Sequence, residues 1–352
     1  MEKKSWQEIR QALGKFAKVD LGFYPTPFYK LENMSKKLGI NLYIKRDDFS
    51  GQALFGGNKI RKLEYLLGDA VAQKAEYVFT YGATQSNHAM QTVECCNKIG
   101  LKPVIYLYAL VQPEAKNPLG NLLLDKIFGA EVVVVNLKPG ETQAEVKVRS
   151  KKMGEDHIAR LTAAGHKCYD VPVGGASPMG SLGFVEGFVE LEEQLQAANI
   201  KADYLVHASG SGGTMAGIGA GKKLCDSAIK VISVATGKKD FAAYVEEKAA
   251  LANATLALLG FTLNMGKEDF CVEPDYYLPG YEQPNQYGTK AIKMLAKEEG
   301  LLVDPVYSGK ALGCLIDYVE RGKIPQGANV VFWHTGGATA LFAEKAILGA
   351  IY

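Results

Sequence analysis

Residues 56–63 read Gly-Gly-Asn-Lys-Ile-Arg-Lys-Leu, a glycine pair followed directly by a helical pattern. The glycines permit a sharp turn of the backbone, so that Lys59 opens the helix. At that position the positive end of the helix dipole favours a neutral lysine amine, the form that Schiff-base chemistry requires. The alternative is a loop before an ordinary solvated helix, and the motif taken alone favours that alternative.

Short apolar runs on both sides of this stretch alternate with helical segments. Continuous apolar runs are typical of strands that are buried on both faces. The predicted strands are 42–45, 77–81, 104–108, 132–135, 204–208, 231–235 and 330–333, and the predicted helices are 1–20, 59–73, 86–99 and 138–164. Repetition of strand, glycine-bearing turn and helix predicts an α/β protein with parallel-rich twisted sheets and helices on both faces.

The overall composition argues against several classes of function. The 352 residues carry a formal net charge of +2, which gives no electrostatic basis for binding nucleic acid or a membrane surface. No apolar run is long enough to span a bilayer. The six cysteines lack the spacing of metal ligands, and a chain with a large core does not need disulfides. We therefore expect a reduced, cytoplasmic protein without a metal site.

A polar cluster follows the predicted strand 77–81. Residues 81–88 read Tyr-Gly-Ala-Thr-Gln-Ser-Asn-His, so several hydrogen-bonding side chains gather at a helix N-terminus. Backbone N–H groups there can bind an anion such as a substrate carboxylate. By itself, Ser86 is better explained as a helix cap and His88 as a structural histidine.

A second glycine-rich turn lies between the predicted strand 204–208 and a helix. Residues 207–217 read His-Ala-Ser-Gly-Ser-Gly-Gly-Thr-Met-Ala-Gly. Small residues let several backbone N–H groups point into one concavity at a helix start, which makes a cup for a single phosphate. The Gly-Lys-Ser/Thr of a Walker A loop is missing, and so is the ribose-binding acid of a dinucleotide fingerprint.

Two segments near the C-terminus add candidate side chains. Tyr307 stands at the tip of a loop before a predicted helix, where it could stack on a ligand or donate a proton. Thr335 follows the predicted strand 330–333, where it could hydrogen-bond a ring nitrogen. Each residue alone is equally well explained as part of a turn or a cap.

Together and in this order, the five segments resemble the 1-aminocyclopropane-1-carboxylate deaminase / D-cysteine desulfhydrase family. The resemblance runs from about Leu21 to the C-terminus. It includes Tyr-Pro-Thr-Pro at 24–27, Ile-Lys-Arg-Asp-Asp at 44–48, Pro-Gly-Tyr at 279–281, Pro-Asn at 284–285 and Glu-Gly-Leu-Leu-Val-Asp-Pro at 299–305.

The resemblance implies a two-lobed pyridoxal 5'-phosphate (PLP) fold of type II, similar to tryptophan synthase β. The large PLP-binding domain is expected at 1–60 and 174–352, with a smaller α/β domain inserted at 61–173. A homodimer is expected from the resemblance alone. The expected partner is a small amino-acid substrate.

The resemblance also implies a role for each candidate residue. Lys59 would carry PLP as a Schiff base and, once released, move the α-proton of the substrate. Ser86 would supply a catalytic hydroxyl, and Tyr281 and Tyr307 would flank the reacting amino acid. The other implied roles are the cofactor phosphate for Ser209, Gly210, Ser211, Gly212, Gly213 and Thr214 with Lys62 as a charge partner, the cofactor phenolic oxygen for Asn87, the substrate carboxylate for Ser86, Asn87 and His88, and the cofactor ring nitrogen for Thr335.

Two positions favour elimination over the opening of a cyclopropane ring. In the deaminases that the chain resembles, glutamate follows the tyrosine equivalent to Tyr307 and leucine usually takes the position of Thr335, whereas Ser308 and Thr335 stand here. A carboxylate at the ring nitrogen would keep it protonated and deepen the electron sink, but a hydroxyl leaves it largely neutral, which suits loss of a β-substituent. The expected activity is therefore that of a D-cysteine desulfhydrase, which gives pyruvate, sulfide and ammonia.

Three alternatives stay open. Met90 replaces an arginine of many relatives, and residues 111–118 are distinctive. We expect both near the substrate entrance, where they could change the leaving group. The alternatives are an L-cysteate sulfo-lyase that releases sulfite, a 1-aminocyclopropane-1-carboxylate deaminase, and a PLP-binding protein without turnover.

Overall fold

The computed structural model describes residues 4–51, 56–114 and 116–351. Within these ranges the ten strands are β1 (Phe28–Lys30), β2 (Asn41–Arg46), β3 (Tyr77–Ala83), β4 (Lys102–Ala109), β5 (Glu131–Asn136), β6 (Cys168–Asp170), β7 (Tyr204–Ser209), β8 (Lys230–Ala235), β9 (Cys271–Glu273) and β10 (Asn329–His334). The α-helices of the same ranges are α1 (Trp6–Leu13), α2 (Glu32–Leu38), α3 (Lys59–Ala72), α4 (Asn87–Ile99), α5 (Gly120–Ile127), α6 (Gln143–Ala163), α7 (Pro178–Ala197), α8 (Gly213–Leu224), α9 (Phe241–Leu258), α10 (Gln286–Glu299), α11 (Ser308–Glu320) and α12 (Lys345–Leu348).

The predicted elements are confirmed with small changes of length. Every predicted strand lies inside an observed strand, and α3 begins at Lys59 as the glycine pair indicates. The helix predicted over 1–20 is wrong in extent, because α1 ends before Gly14 and glycine is a poor helix former. Residues 1–3 of that prediction lie outside the described residues.

The strands form two sheets. The larger has the order β1-β2-β10-β7-β8-β9, in which only β1 pairs antiparallel with its neighbour, and the smaller has the all-parallel order β5-β4-β3-β6. This confirms the α/β fold with parallel-rich sheets. The strands of the smaller sheet all come from residues 77–170, while the exact domain edges stay a prediction.

Strand β10 shows how the larger sheet is buried on both faces. Val330 and Phe332 belong to one hydrophobic core, and Val331 and Trp333 belong to the core on the other face. The Trp333 ring lies 5.6 Å from the ring of Phe184 in α7, measured between centroids. Full burial of such side chains contributes roughly 2 kcal/mol each. Both faces of β10 pack against hydrophobic cores, which is why residues 330–333 are apolar at every position.

A buried ion network fastens α3 to the larger sheet and to α7. Arg61 donates to Asp47 and to Glu190, with N–O distances of 2.8 and 2.9 Å, and Lys45 in β2 also bonds to Glu190. Although burial opposes the charged form of Glu190, Arg61 and Lys45 lower its pKa to about 2. The network fixes the first turn of α3 and thereby the position of Lys59.

Candidate active site

A cavity of about 670 Å³ lies where the carboxyl ends of parallel strands from both sheets meet. The smaller sheet contributes the turn after β3, and the larger sheet contributes the turns after β7, β8 and β10. Lys59, the first residue of α3, lines the same cavity. Ligands of parallel α/β sheets characteristically bind at these strand ends.

The amine of Lys59 is unusual because no carboxylate among the described residues neutralises it. The side chain is half-buried and has no hydrogen bond or ion pair to any described residue. Burial lowers its pKa from 10.5 to about 8, so roughly a tenth of the amine is neutral at pH 7. The sequence predicts a neutral amine from the helix dipole, whereas in the structure burial accounts for the lowered pKa.

The glycine-rich turn after β7 forms the predicted cup. Gly210, Ser211, Gly212 and Thr214 line the cavity, and α8 begins directly behind them. Gly212 has a φ of +86°, and a Cβ atom there would lie 2.4 Å from a lysine side chain of α9. Only glycine fits such a position. The first-turn N–H groups of α8 are therefore presented to an anion by a backbone conformation that strongly favours glycine.

Three residues assigned to the phosphate lie behind the cup and do not line the cavity, namely Ser209, Gly213 and Lys62. The Ser209 hydroxyl hydrogen-bonds to the Tyr244 hydroxyl at 2.9 Å. Lys62 Nζ donates to the Gly174 carbonyl at 3.0 Å, and a Cβ atom on Gly213 would lie 2.8 Å from the same Nζ. Lys62 thus supports the first turn of α8 from behind, and Ser209 braces the turn through Tyr244.

The turn after β3 is a second candidate anion site. Ser86 caps α4, since its Oγ accepts the N–H of Ala89 at 3.2 Å. The first-turn N–H groups of Asn87 and His88 have no acceptor within the helix. The His88 ring contacts Thr80 Oγ1 at 2.8 Å, and burial lowers its pKa well below 6.5. The ring is therefore neutral, and the Ser86 hydroxyl and the main chain supply the donors for a carboxylate.

The side chain of Asn87 is held in one orientation. Its Oδ1 accepts from Asn121 Nδ2 at 2.8 Å and from Thr339 Oγ1 at 3.3 Å. Because the oxygen is occupied twice, the Nδ2 N–H groups are left for a ligand. A donor fixed in this way suits a phenolate oxygen.

Tyr281 and Tyr307, which the resemblance expects beside the substrate, both line the cavity. Their hydroxyls hydrogen-bond to each other, and the ring centroids are 5.7 Å apart at an interplanar angle of 68°. Burial raises the pKa of both phenols well above 10. Both phenols therefore keep their protons; one O–H donates within the pair, and the other can donate a hydrogen bond to a ligand.

Ser308 and Thr335 differ in their access to the cavity. Ser308 Oγ lies within hydrogen-bond distance of the Asp304 carboxylate and 3.1 Å from the Gly336 carbonyl. Thr335 lines the cavity. The hydroxyl of Ser308 is thus used inside its own turn, and Thr335 carries the hydroxyl that a ring nitrogen could reach.

Several residues at the site are missed by the sequence analysis, and Asn58 and Tyr244 are two that support the cup. Asn58 donates from Nδ2 to Thr214 Oγ1 at 3.0 Å and from its backbone N–H to the Thr335 carbonyl at 3.1 Å, so it ties the start of α3 to the cup. Its place beside Lys59 was an available signal. Tyr244 lies some thirty residues after the cup, and no local pattern marks it.

The expectation for the entrance is wrong at Met90. This side chain is fully buried in α4 and does not line the cavity. None of the described residues of 111–118 lines the cavity either, and Ala115 lies outside the described residues. Val111 does pack against the hydrophobic cluster that includes Tyr281 and Tyr307.

Comparison with known proteins identifies the class. Residues 19–336 match the model of the pyridoxal-phosphate-dependent enzyme family, and the chain belongs to that family. It is 39% identical to a D-cysteine desulfhydrase of Serratia proteamaculans over 342 residues, which is 95% of this chain and 98% of the relative. It is 38% identical to a putative 1-aminocyclopropane-1-carboxylate deaminase of Pyrococcus furiosus, over 95% of this chain and 96% of that one.

A solved structure gives the same result. The crystal structure of a homologue of 1-aminocyclopropane-1-carboxylate deaminase superposes with a TM-score of 0.84, at 35% identity, over 95% of this chain and 96% of that chain. The resemblance inferred from the motifs is therefore confirmed, as is the PLP fold of type II.

The cavity fits PLP, the cofactor of this family. The free amine of Lys59 matches the aldehyde of that molecule. The glycine-rich cup matches its phosphate, and the fixed amide donor of Asn87 matches its phenolic oxygen.

Across the described ranges, no helix combines the length and apolarity needed to cross a membrane.

Proposed function

We propose that the protein is a β-eliminating lyase that converts D-cysteine to pyruvate, sulfide and ammonia. The observation that carries the proposal is the placement of a free, half-buried amine at Lys59 between two separate anion sites, the cup at 210–214 and the N-terminus of α4. The first suits the phosphate of PLP and the second suits the carboxylate of an amino acid. The desulfhydrase of Serratia proteamaculans supports the choice of reaction.

Each side chain at the site has its own role in the proposed reaction. PLP, when bound, supplies the electron sink that makes the Cα–H bond acidic. The Ser86 hydroxyl and the first-turn N–H groups of α4 bind and orient the carboxylate, and the Lys59 amine takes the α-proton. The phenol pair of Tyr281 and Tyr307 closes the substrate side of the cavity. The Cβ–S bond then breaks, and water completes the release of pyruvate and ammonia.

Thr335 supports elimination over ring opening. A hydroxyl at the ring nitrogen does not hold a proton there as a carboxylate would. In the described part of the cavity lining there is no carboxylate to take that role. The deaminase-named relative of Pyrococcus furiosus keeps cyclopropane deamination as the second candidate.

The proposal includes a cytoplasmic homodimer. The six cysteines form no disulfide within the described ranges, which suits a reducing compartment. Light scattering of the purified protein tests the dimer directly, and a mass of one chain would refute it.

The direct experiment is a substrate panel with purified, PLP-loaded protein. D-cysteine, L-cysteine, L-cysteate, D-serine and 1-aminocyclopropane-1-carboxylate are offered, and pyruvate, 2-oxobutyrate, sulfide and sulfite are measured. We expect D-cysteine to give pyruvate and sulfide in equal amounts. Production of 2-oxobutyrate from the cyclopropane as the fastest reaction would replace the proposal by the deaminase.

A Ser86→Ala variant tests the substrate side of the site. We expect the visible colour of bound PLP to remain and kcat to fall about a hundredfold, because a catalytic hydroxyl contributes on that order. Absorbance spectra and pyruvate assays measure the two effects. A variant that fails to bind PLP would show that Ser86 serves the cofactor instead.

A further inference from the structure

Glu282, which follows Tyr281, is buried in an unusual backbone conformation. Of the described residues other than glycine, four have a positive φ, and Glu282 is one of them, with a φ of +57°. Glu282 is fully buried, whereas the other three are exposed and lie two positions after the end of a helix. They are Lys74, Asn199 and Asp226. A left-handed backbone costs free energy at a residue with a side chain, and residues held this way cluster at functional sites.

The carboxyl group of Glu282 lies next to the cavity without lining it. Every other residue of 279–283 does line the cavity. Neither carboxyl oxygen makes a well-formed hydrogen bond to a described residue, although the backbone N–H of Gln85 is close enough to favour the ionised form. Lys310, a buried cation of α11, donates to two backbone carbonyls instead. Burial without a strong partner favours the neutral form of a carboxyl group.

Charged groups from several elements act on this carboxyl group. Burial raises the pKa of Glu282 to about 8, against the effect of the Gln85 N–H. The charge of Glu344 adds to the rise, and the charges of Lys147 and Lys310 oppose it. These three side chains come from the start of α12, from α6 and from α11. Glu282 is therefore mostly neutral at pH 7 and becomes negative as the pH rises through about 8.

Three phenols of the cavity respond to Glu282. Burial is the largest cause of the raised pKa of Tyr281, Tyr307 and Tyr108, and negative charge at Glu282 adds to it in each case. All three phenols line the cavity, and the hydroxyls of Tyr281 and Tyr307 hydrogen-bond to each other. An ionised Glu282 thus makes the phenols weaker proton and hydrogen-bond donors, and a neutral Glu282 leaves them stronger.

The phenol pair of Tyr281 and Tyr307 is the donor available to a departing anion. In the proposed function, the cup binds the phosphate, the N-terminus of α4 binds the carboxylate and the phenol pair closes the substrate side. The α-proton goes to Lys59, the Cβ–S bond breaks, and sulfur departs with both electrons as HS⁻. A phenol O–H that donates to the sulfur stabilises this charge, whereas a second negative charge behind the phenol opposes it.

We propose that Glu282 is a positioning residue that, as a neutral acid, keeps the phenol pair able to stabilise the departing anion and that slows elimination once it ionises. Glu282 does not touch the substrate and acts through Tyr281 and Tyr307. The proposal rests on the proposed β-elimination and assigns the alkaline limit of that reaction to one side chain.

The test is the pH dependence of kcat with β-chloroalanine, of whichever chirality gives pyruvate, because this substrate has no thiol that titrates in the same range. Lys59 must be neutral to take the α-proton, so its titration makes kcat rise with pH. Ionisation of Glu282 should make kcat fall again, by about tenfold for each pH unit well above 8. We expect a bell-shaped profile for the wild type.

Three variants separate the charge of Glu282 from its backbone conformation. Glu282→Gln removes the charge at similar volume, Glu282→Gly removes it and suits the left-handed backbone, and Glu282→Asp keeps it. In the first two variants we expect the falling limb to disappear, with kcat within about twofold of its plateau up to about pH 9.5. Glu282→Asp should keep the falling limb. The control Glu246→Gln, at an exposed carboxylate of α9, should keep the wild-type profile.

A second measurement needs no turnover. Infrared difference spectra between the PLP-loaded wild type and Glu282→Gln should contain the C=O band of a neutral carboxyl group at about pH 7 and lose it at about pH 10. Absence of the band at pH 7 overturns the proposal, and so does an unchanged falling limb in the Gln and Gly variants. Loss of activity at every pH in both variants also overturns it, because the carboxyl group itself would then be required.

The failure of this proposal can be told from the failure of the lyase itself. If the wild type forms pyruvate and the Gln and Gly variants keep its falling limb, only the role of Glu282 is refuted. If no amino acid yields pyruvate, the proposed function fails, and the role assigned to Glu282 fails with it.

Discussion

Helix α3 carries basic side chains on two sides of its first turn, and only one of the two sides is paired with carboxylates. Arg61 lies between Asp47 and Glu190 in a buried, fully paired network. Lys59 and Lys62 have no carboxylate partner among the described residues, and burial lowers the pKa of both. The paired side stabilises the fold, because its charges neutralise each other. The unpaired side is suited to chemistry, because burial without a carboxylate partner favours the neutral form of an amine, which can react.

The largest effect is expected from removing the reactive amine. Lys59→Ala should abolish the visible band of lysine-bound PLP and reduce turnover at least about a thousandfold, because in the proposed function the Lys59 amine both forms the Schiff base and takes the α-proton. Borohydride reduction followed by peptide mapping should place the pyridoxyl adduct on Lys59 in the wild type. A variant that keeps the band would overturn the central assignment.

The paired side is tested by Glu190→Gln. The change leaves Arg61 and Lys45 with one negative partner, Asp47, and we expect the free energy of unfolding to fall by about 3–5 kcal/mol. Urea denaturation of the PLP-free protein measures the loss. The control on the same helix is Glu193→Gln, whose ion pair with Arg10 is exposed and should contribute under about 1 kcal/mol. Equal losses would show that the buried network contributes no more to the free energy of unfolding than an exposed ion pair does.

The pH dependence of stability tests the unpaired side. The pKa of Lys59 is lowered to about 8 on folding from 10.5. Between these values the unfolded chain binds more protons, so stability rises with pH. The gain from pH 8 to 10.5 is at most about 3 kcal/mol, and below pH 8 the full cost of the buried charge is present. Denaturation of PLP-free protein across this range should show the gain in the wild type and lose it in Lys59→Met. Identical curves would mean that Lys59 is not desolvated.

The smallest effect is expected where the start of α3 meets the cup. Asn58→Ala removes the hydrogen bond to Thr214 and should weaken PLP binding about tenfold, the order of one lost hydrogen bond. Spectroscopic titration measures the affinity. Asn33→Ala removes a hydrogen bond to the Glu298 carbonyl at an exposed position and serves as the control. If both variants bind PLP equally well, the link between α3 and the cup does not hold the cofactor.

The set of motifs, through the family resemblance, predicted much of the candidate site, whereas each motif alone was explained at least as well by a structural role. Lys59, the cup around Gly212 and the cap at Ser86 lie in contiguous motifs, where a glycine or a capping residue has one local geometric purpose. Thr335 directly follows β10, and Tyr307 directly precedes α11. Both positions lie at the same edge of the larger sheet, and both residues line the cavity. The burial of Ser308 in its own turn could not be predicted, since its partner Gly336 is 28 residues away.

The sequence by itself determined the strands and the start of α3, because these depend on neighbours a few residues apart, and the family resemblance added the prediction that Lys59 is the reactive amine. The tertiary structure decided which charges are paired. Glu190 reaches Arg61 across 129 residues, and Lys147 of α6 and Lys239 of the turn after β8 line the same cavity. Electrostatic energy depends on distance and burial in space. For that reason, the sequence of α3 alone does not show which of its cations is structural and which is reactive.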